Sequence, residues 1–288
     1  GGYRTFYLRR FFRIAPLWWI ALGLTYVYNL MVRNEIGSIG SLIAHIFAIH
    51  GLVPQYIGDI IVQGWSVSIE VLFYLFVPVV IKLCNDKLEN YIKLIFFTTT
   101  IVWIFNIVGD KLLTIYLPAT EGTFFYLWMP NQFVAFLVGI CLYLVIIKEK
   151  KIENWKNTAI YLIGIACVLF FSLSSVLHVS LIEAVVIMAL SKYGSKIINN
   201  KVFRYVGKVS YGVYLFHMLV ICILQDLGFM SHGWAISLVL YFVVVPMVSV
   251  GIGAISHYFI EKPFLKLERK IEKRQDEKYE KNFSNIYR

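Results

Sequence analysis

The sequence predicts an all-α fold, a polytopic bundle of about eight transmembrane helices, and three observations lead there. Hydrophobic residues make up 59% of the chain against 15% charged, with a mean hydropathy of +0.71, the composition of a chain solvated by lipid. The apolar residues gather into runs near the ~20 residues that a helix needs to cross a hydrocarbon core. The Lys and Arg residues fall between those runs on one side in alternation, as the bias toward cytoplasmic positive charge requires.

Taken in order, the runs cover roughly residues 15–32, 64–81, 94–109, 126–147, 158–176, 181–195, 209–227 and 234–260. The first opens with Pro16, placed as a first-turn proline, where the missing N–H costs least. Residues 36–53 are moderately apolar but hold His45 and His50 and lead into Pro54, so they read as an interfacial or re-entrant segment. With residues 1–13 in the cytoplasm, 25 of the 27 Lys and Arg residues fall on cytoplasmic segments (1–13, 82–93, 148–157, 192–208 and 261–288). Only Arg33 and Lys111 do not. One missed helix would scramble this alternation for every later loop, so span count and topology support each other.

The net charge of +10 is thereby a positive-inside signature, not a nucleic-acid footprint. Cys84, Cys141, Cys167 and Cys222 have neither disulfide nor metal-ligand spacing. The chain begins Gly1-Gly2, its first Met is Met31 and no signal peptide is visible, so the expectation is that something upstream is missing. Residues 1–260 form the membrane domain. Residues 261–288 form a basic cytoplasmic tail, where Phe264, Leu267 and Ile271 share a helical face suited to the inner membrane surface. Trp18, Trp19, Trp128 and Trp234 fit interfacial belts.

Three stretches carry candidate chemistry. In "GWSVSIEVLFYL" (64–75), Ser66, Glu70 and Tyr74 stand at i, i+4 and i+8 on one helical face, while Trp65, Ile69, Leu72 and Phe73 occupy others and Ser68 precedes Glu70 by two. Glu70 lies ~9 Å into its span at 1.5 Å per residue, where a carboxylate costs about 2.5–3.5 kcal/mol on insertion scales. Such a group faces a wet cavity or pairs with a neighbouring helix. Pro78, one turn after Tyr74, frees the Tyr74 carbonyl. In "GKVSYGVYLFH" (207–217), Ser210, Tyr214 and His217 again share a face, next to Tyr211, and His217 is a proton carrier or a packed histidine. In "YLRRFFRIAP" (7–16), Arg9, Arg10 and Arg13 either contact lipid phosphates or suit the diphosphate of a soluble acyl donor.

Weaker candidates are Glu183, at the outer end of its span, and His45, His50, His178 and His232, read as ordinary polar groups on the outer side. Asn131 and Gln132 either line a cavity or hydrogen-bond a neighbouring helix.

With "FYLRRFFRIAPLWW" (6–19), "WSVSIEVLFYLFVP" (65–78), "GKVSYGVYLFH" (207–217) and "YFIEKPF" (258–264) in this order, the sequence resembles the integral-membrane acyltransferase family 3. Members of that family O-acylate, most often O-acetylate, surface polysaccharides and related glycans. The resemblance implies that Arg10 and Arg13 are the family's Arg-x-x-Arg pair, and that Trp65 to Glu70 match its Trp-Ser-Leu-Ser-Val-Glu stretch. Val71 and Leu72 depart from its usual polar pair. The family has ten spans, and its catalytic His lies on the first. The resemblance therefore implies that two spans, and that His, precede Gly1.

The function expected is a membrane O-acyltransferase of the bacterial inner membrane, carrying acyl groups to a glycan hydroxyl outside the cytoplasm. Acyl-CoA, acetyl-CoA above all, is the expected co-substrate, with no tightly bound cofactor, no metal and no nucleic acid. Glu70 and His217 are the catalytic candidates, and Arg9, Arg10 and Arg13 the donor-binding ones. Trp65, Ser66, Ser68, Tyr74, Ser210, Tyr211 and Tyr214 line the path. Lipid, the acyl donor and a glycan or polysaccharide acceptor are the expected partners, and the oligomeric state is open. A transporter or flippase for a glycan lipid or small solute is the alternative, since an intramembrane Glu and His also suit proton coupling.

Overall fold

The computed structural model describes residues 2–35, 37–116, 124–171, 176–194, 199–229 and 233–286. Helix dominates them and no strand occurs among them. Lipid offers no hydrogen-bond partners, so a spanning segment must satisfy its backbone internally, and an isolated segment can do so only as a helix. Seven helical stretches among the described residues are long and apolar enough to cross a bilayer, and an eighth apolar helix, Trp155–Phe170, is shorter. They fall on the eight runs read from the sequence, so the chain is a multi-pass membrane protein. Large apolar side chains such as Phe170 and Phe242 point outward, as lipid allows and water would not.

The helices group into two compact units, Gly1–Gly37 with Asn200–Arg288, and Ser38–Asn199. In the first unit, α1 (Tyr3–Tyr28) continues through a π turn at Asn29–Arg33. Pro16 does not open this helix but lies well inside it, and the arginines share one helix with the span. Trp18, expected at an interface, is buried, because its face of α1 packs inward, whereas Trp19 and Trp234 are exposed. At the far end Arg33 Nε meets Asp226 Oδ2 at 2.8 Å, and Tyr28 Oη donates to the same oxygen at 2.5 Å. Arg33, one of two exceptions to the charge alternation, is thus a paired arginine.

Helix α9 (Lys201–Asp226) starts where the Asn200 side chain accepts from the Phe203 N–H at 2.9 Å. It packs on α11 (Val245–Ser256), which follows α10 (Trp234–Val239). The crossing is glycine on glycine: a Cβ on Gly212 would stand 2.4 Å from Ser256 Oγ and 2.9 Å from Gly253 Cα. Small residues are what lets helices approach in lipid, where hydrophobic burial supplies no drive. Two π turns, Leu240–Val244 and His257–Glu261, each end two residues before a proline, Pro246 and Pro263. Each proline clashes with the carbonyl four residues back, Phe242 or Phe259, and a widened turn accommodates that. Helical structure consequently runs unbroken from Trp234 to Gln275, so the tail helix α12 (Lys262–Ile286) extends the last span rather than starting afresh.

The second unit opens with α2 (Ile39–Ile46), capped by the Ser38 hydroxyl, which accepts from the Ser41 N–H at 3.0 Å. This segment is too short to span, as expected of residues 36–53. Next come α3 (Trp65–Cys84), α4 (Leu88–Tyr116), α5 (Phe124–Leu127), α6 (Met129–Ile146), α7 (Trp155–Phe171) and α8 (Val176–Tyr193). Val80, Tyr91, Leu137 and Leu177 belong to the core between α3, α4, α6 and α8. Asn131 and Gln132 bond the short helix before their own: both side-chain amides donate to the Tyr126 carbonyl of α5, at 2.7 and 2.8 Å. Pro130 cannot donate to that carbonyl, four residues back, so the two amides replace its missing N–H.

Candidate functional site

In the first unit, α1 and α12 enclose a cleft of about 810 Å³. All three donor-binding candidates, Arg9, Arg10 and Arg13, line it, together with Arg269, Glu268 and Glu272 of the tail. The side chains of residues 9, 10 and 13 converge because positions three and four apart on a helix lie above one another. Arg9 closes the cleft wall: its Nη2 donates to Glu272 Oε1 at 2.5 Å and its Nε lies 3.7 Å from Glu268 Oε1. Arg10 stacks over Phe6, its guanidinium carbon 5.5 Å from the ring centroid. The rings of Phe12 and Phe264, 6.4 Å apart, continue the seam between the helices.

Further along α1, the Ile14 carbonyl accepts from Tyr211 Oη at 3.0 Å, which ties the Ser-Tyr-His segment of α9 to the arginine helix. Ser210 is exposed and donates to the Gly207 carbonyl at 3.0 Å. His217 is half-buried, with Nδ1 2.6 Å from the Tyr214 carbonyl and its ring 5.6 Å from the Tyr214 ring. A carbonyl only accepts, so Nδ1 carries the proton and a neutral His217 keeps its lone pair on Nε2.

The Glu70 stripe belongs to the second unit. Tyr74 Oη donates to Glu70 Oε1 at 2.5 Å, confirming the shared face, and both residues are half-buried. Ser66, also half-buried, donates at 3.3 Å to the carbonyl of Gln63, two residues before the helix opens at Trp65. Ser68 is fully buried and accepts from the Gly51 N–H at 3.1 Å. A Cβ on Gly51 would stand 2.8 Å from Ser68 Oγ, so glycine is required for the 38–64 segment to lie on α3.

That contact brings in residues that the sequence reading had set aside. His45 and His50 are not ordinary outer polar groups: their rings stack at 3.9 Å, 6° from parallel, and neither is exposed. His45 Nδ1 donates to the Ser41 carbonyl at 2.8 Å. Burial pushes both imidazoles below their usual range, His50 to about 3, with the charge of His45 as the next cause. Backbone hydrogen bonds to Gly64 and Ala44 work the other way on His50. Five residues apart with a turn between them, the two rings share no helical period that would have announced the stack. Glu261 was overlooked as well. It is buried, with Oε2 3.4 Å from His257 Nδ1, and the i, i+4 spacing of the pair was there to be read. Glu183 is exposed on α8, His178 is half-buried, and His232 lies outside the described residues.

A family model described as an acyltransferase domain matches residues 1–257. The chain belongs to this acyltransferase family. A Staphylococcus aureus (strain COL) protein named "Putative O-acetyltransferase" is 26% identical over 310 aligned residues, covering 91% of this chain and 48% of its own length. A protein of the same name in strain MRSA252 matches equally. "Nodulation protein 10" of Rhizobium leguminosarum bv. viciae is 36% identical over 63 residues, 22% of this chain and 16% of its own. No solved structure matches significantly. The acyltransferase chain thus spans about half the length of the Staphylococcus relatives it matches. Its arginine cleft is part-built by α12, beyond the matched region.

Proposed function

We propose that the protein transfers an acyl group, acetyl in the first instance, from a cytosolic acyl-CoA to a hydroxyl of an extracytoplasmic glycan. The arginine cleft carries this reading. Guanidinium forks match phosphate oxygens in pairs, and coenzyme A presents a diphosphate and a ribose phosphate at one end and the thioester at the other. From Arg13 to Arg33 the helix climbs about 30 Å at 1.5 Å per residue, the thickness of a hydrocarbon core. A donor anchored at Arg10 and Arg13 therefore holds its phosphates on the side of residues 1–13 and its acyl end toward the bilayer.

In the transfer, the acceptor oxygen forms a bond to the thioester carbonyl carbon and the carbon–sulfur bond breaks. The hydroxyl proton passes to a base, and the coenzyme leaves as a thiol. His217, with Nδ1 spent on the Tyr214 carbonyl, offers Nε2 as that base. Glu70, fixed by Tyr74, orients and charge-balances an imidazole. In the first unit Ser210, Tyr211 and Tyr214 accompany His217, and in the second Trp65, Ser66 and Ser68 accompany Glu70. The membrane is the bacterial inner membrane, with residues 1–13 and 261–288 cytoplasmic.

The test compares glycan O-acetyl content in cells whose native gene carries wild type, Glu70→Gln, His217→Gln or Arg13→Ala. Loss of the proton-handling groups should lower acetylation about 100-fold or more, and loss of one phosphate contact about 10-fold. Unchanged acetylation in both Glu70→Gln and Arg13→Ala would remove the site assignment.

A further inference from the structure

One cation of the cleft lies outside the Arg-x-x-Arg pair and beyond the region matched by the family model, which ends at residue 257: Arg269. We propose that Arg269 is a phosphate-binding residue of the acyl-donor site, and that Glu268 and Glu272 hold it there by clamping the tail helix to Arg9. The proposal rests on reading the cleft as the donor site.

The charges around the cleft divide by job. Both carboxylates reach Arg9, Glu272 at 2.5 Å and Glu268 at 3.7 Å, so Arg9 serves the wall. Glu268 is buried against the cleft wall while Arg9 stays mostly exposed, so the tail side of the clamp is the fixed one. Arg10, Arg13 and Arg269 line the same space and, with Arg9 counted, four guanidinium groups face two carboxylates, which leaves the cleft cationic. The pair on α1, three residues apart, covers one diphosphate. A ligand with a further phosphate calls for another guanidinium, and the second wall provides Arg269, next in sequence to the buried clamp residue. The Phe12–Phe264 contact adds an apolar seam, so the tail is a standing wall of the cleft. An anionic lipid headgroup shares the phosphate chemistry, and the experiment separates the two sources.

Binding of free coenzyme A is measured on the full chain in nanodiscs of phosphatidylcholine and, separately, of phosphatidylglycerol. Arg269 is exposed, so truncation leaves the fold intact. Arg269→Ala should weaken binding about 10-fold or more in both lipids, Arg269→Lys less, and the exposed neighbour variant Lys266→Ala less than about twofold. The double variant Glu268→Gln/Glu272→Gln also weakens binding, although it removes negative charge from an anion site. Tighter binding in that variant would overturn the clamp. Wild-type affinity in Arg269→Ala, with affinity lost in Arg10→Ala/Arg13→Ala, would overturn this proposal and leave the donor reading standing. Affinity unchanged in both would overturn the donor reading too. An Arg269→Ala effect confined to phosphatidylglycerol would assign the residue to lipid and overturn the proposal.

Discussion

Two imidazoles stacked at 3.9 Å, with neither exposed, resist protonation. In the unfolded chain each titrates near its ordinary value of about 6.5, whereas in the fold both lie lower, His50 at about 3. Between those values the unfolded state binds more protons, so stability is full above about pH 6.5 and falls as the pH drops through the window, by up to about 1.4 kcal/mol per pH unit for each histidine. Thermal unfolding in detergent should show a midpoint lower at pH 5 than at pH 7.5. His50→Phe, which keeps a stacked ring without a titrating nitrogen, should flatten that slope, and an equal slope in the variant would contradict the assignment. At this scale the sequence was legible where partners are near in the chain. Tyr74 on Glu70 and Tyr214 beside His217 follow from helical spacing alone. The His45–His50 stack and the Gly51–Ser68 contact arise from packing across a turn and between segments, which periodicity does not encode.

Helices here are shaped by what their prolines and glycines permit. Pro130 leaves a carbonyl that Asn131 and Gln132 satisfy, and Pro246 and Pro263 each follow a π turn. Gly212 and Gly253 set the α9–α11 distance. Gly212→Ala should therefore lower stability by about 1–3 kcal/mol through overpacking, measured as a drop in the unfolding midpoint. Gly207→Ala on the same helix, where a Cβ meets nothing within 4 Å, should leave it unchanged or raise it. Equal effects of the two would show that the glycine contact does not set the crossing. The motif around Gly212 was visible in the sequence as a Ser-Tyr-His stripe. The glycine's role was not, because it depends on a partner some forty residues away. Pro16 was misplaced for a related reason: a proline is tolerated inside a long membrane helix, so it marks no boundary there.

The whole molecule was most legible in its charges. Two loops assigned to one side of the bilayer, 82–93 and 148–157, meet in the structure, where the Glu89 carboxylate accepts from the Glu153 and Asn154 N–H groups. Residues 1–13 and the tail, also assigned to that side, meet through Arg9 and Glu272. Arg33 and Asp226, both assigned to the opposite side, pair with each other. Cysteines placed at Lys87, Lys150 and Lys266 should therefore react with an impermeant thiol reagent in inside-out vesicles and be protected in intact cells, and reaction of any of them in intact cells would break the topology. Whether Glu70 and His217 serve one reaction is not written in the charges. Each belongs to a different unit, and their shared role is a matter for variants. The most direct trial of the account is transfer of labelled acetyl from acetyl-CoA, supplied at the cytoplasmic face of inside-out membrane vesicles, to the cell's glycan. The account predicts label in the glycan with wild type, and a loss of about 100-fold in Arg10→Ala/Arg13→Ala, from two phosphate contacts at about tenfold or more each. Full labelling by that double variant would contradict it.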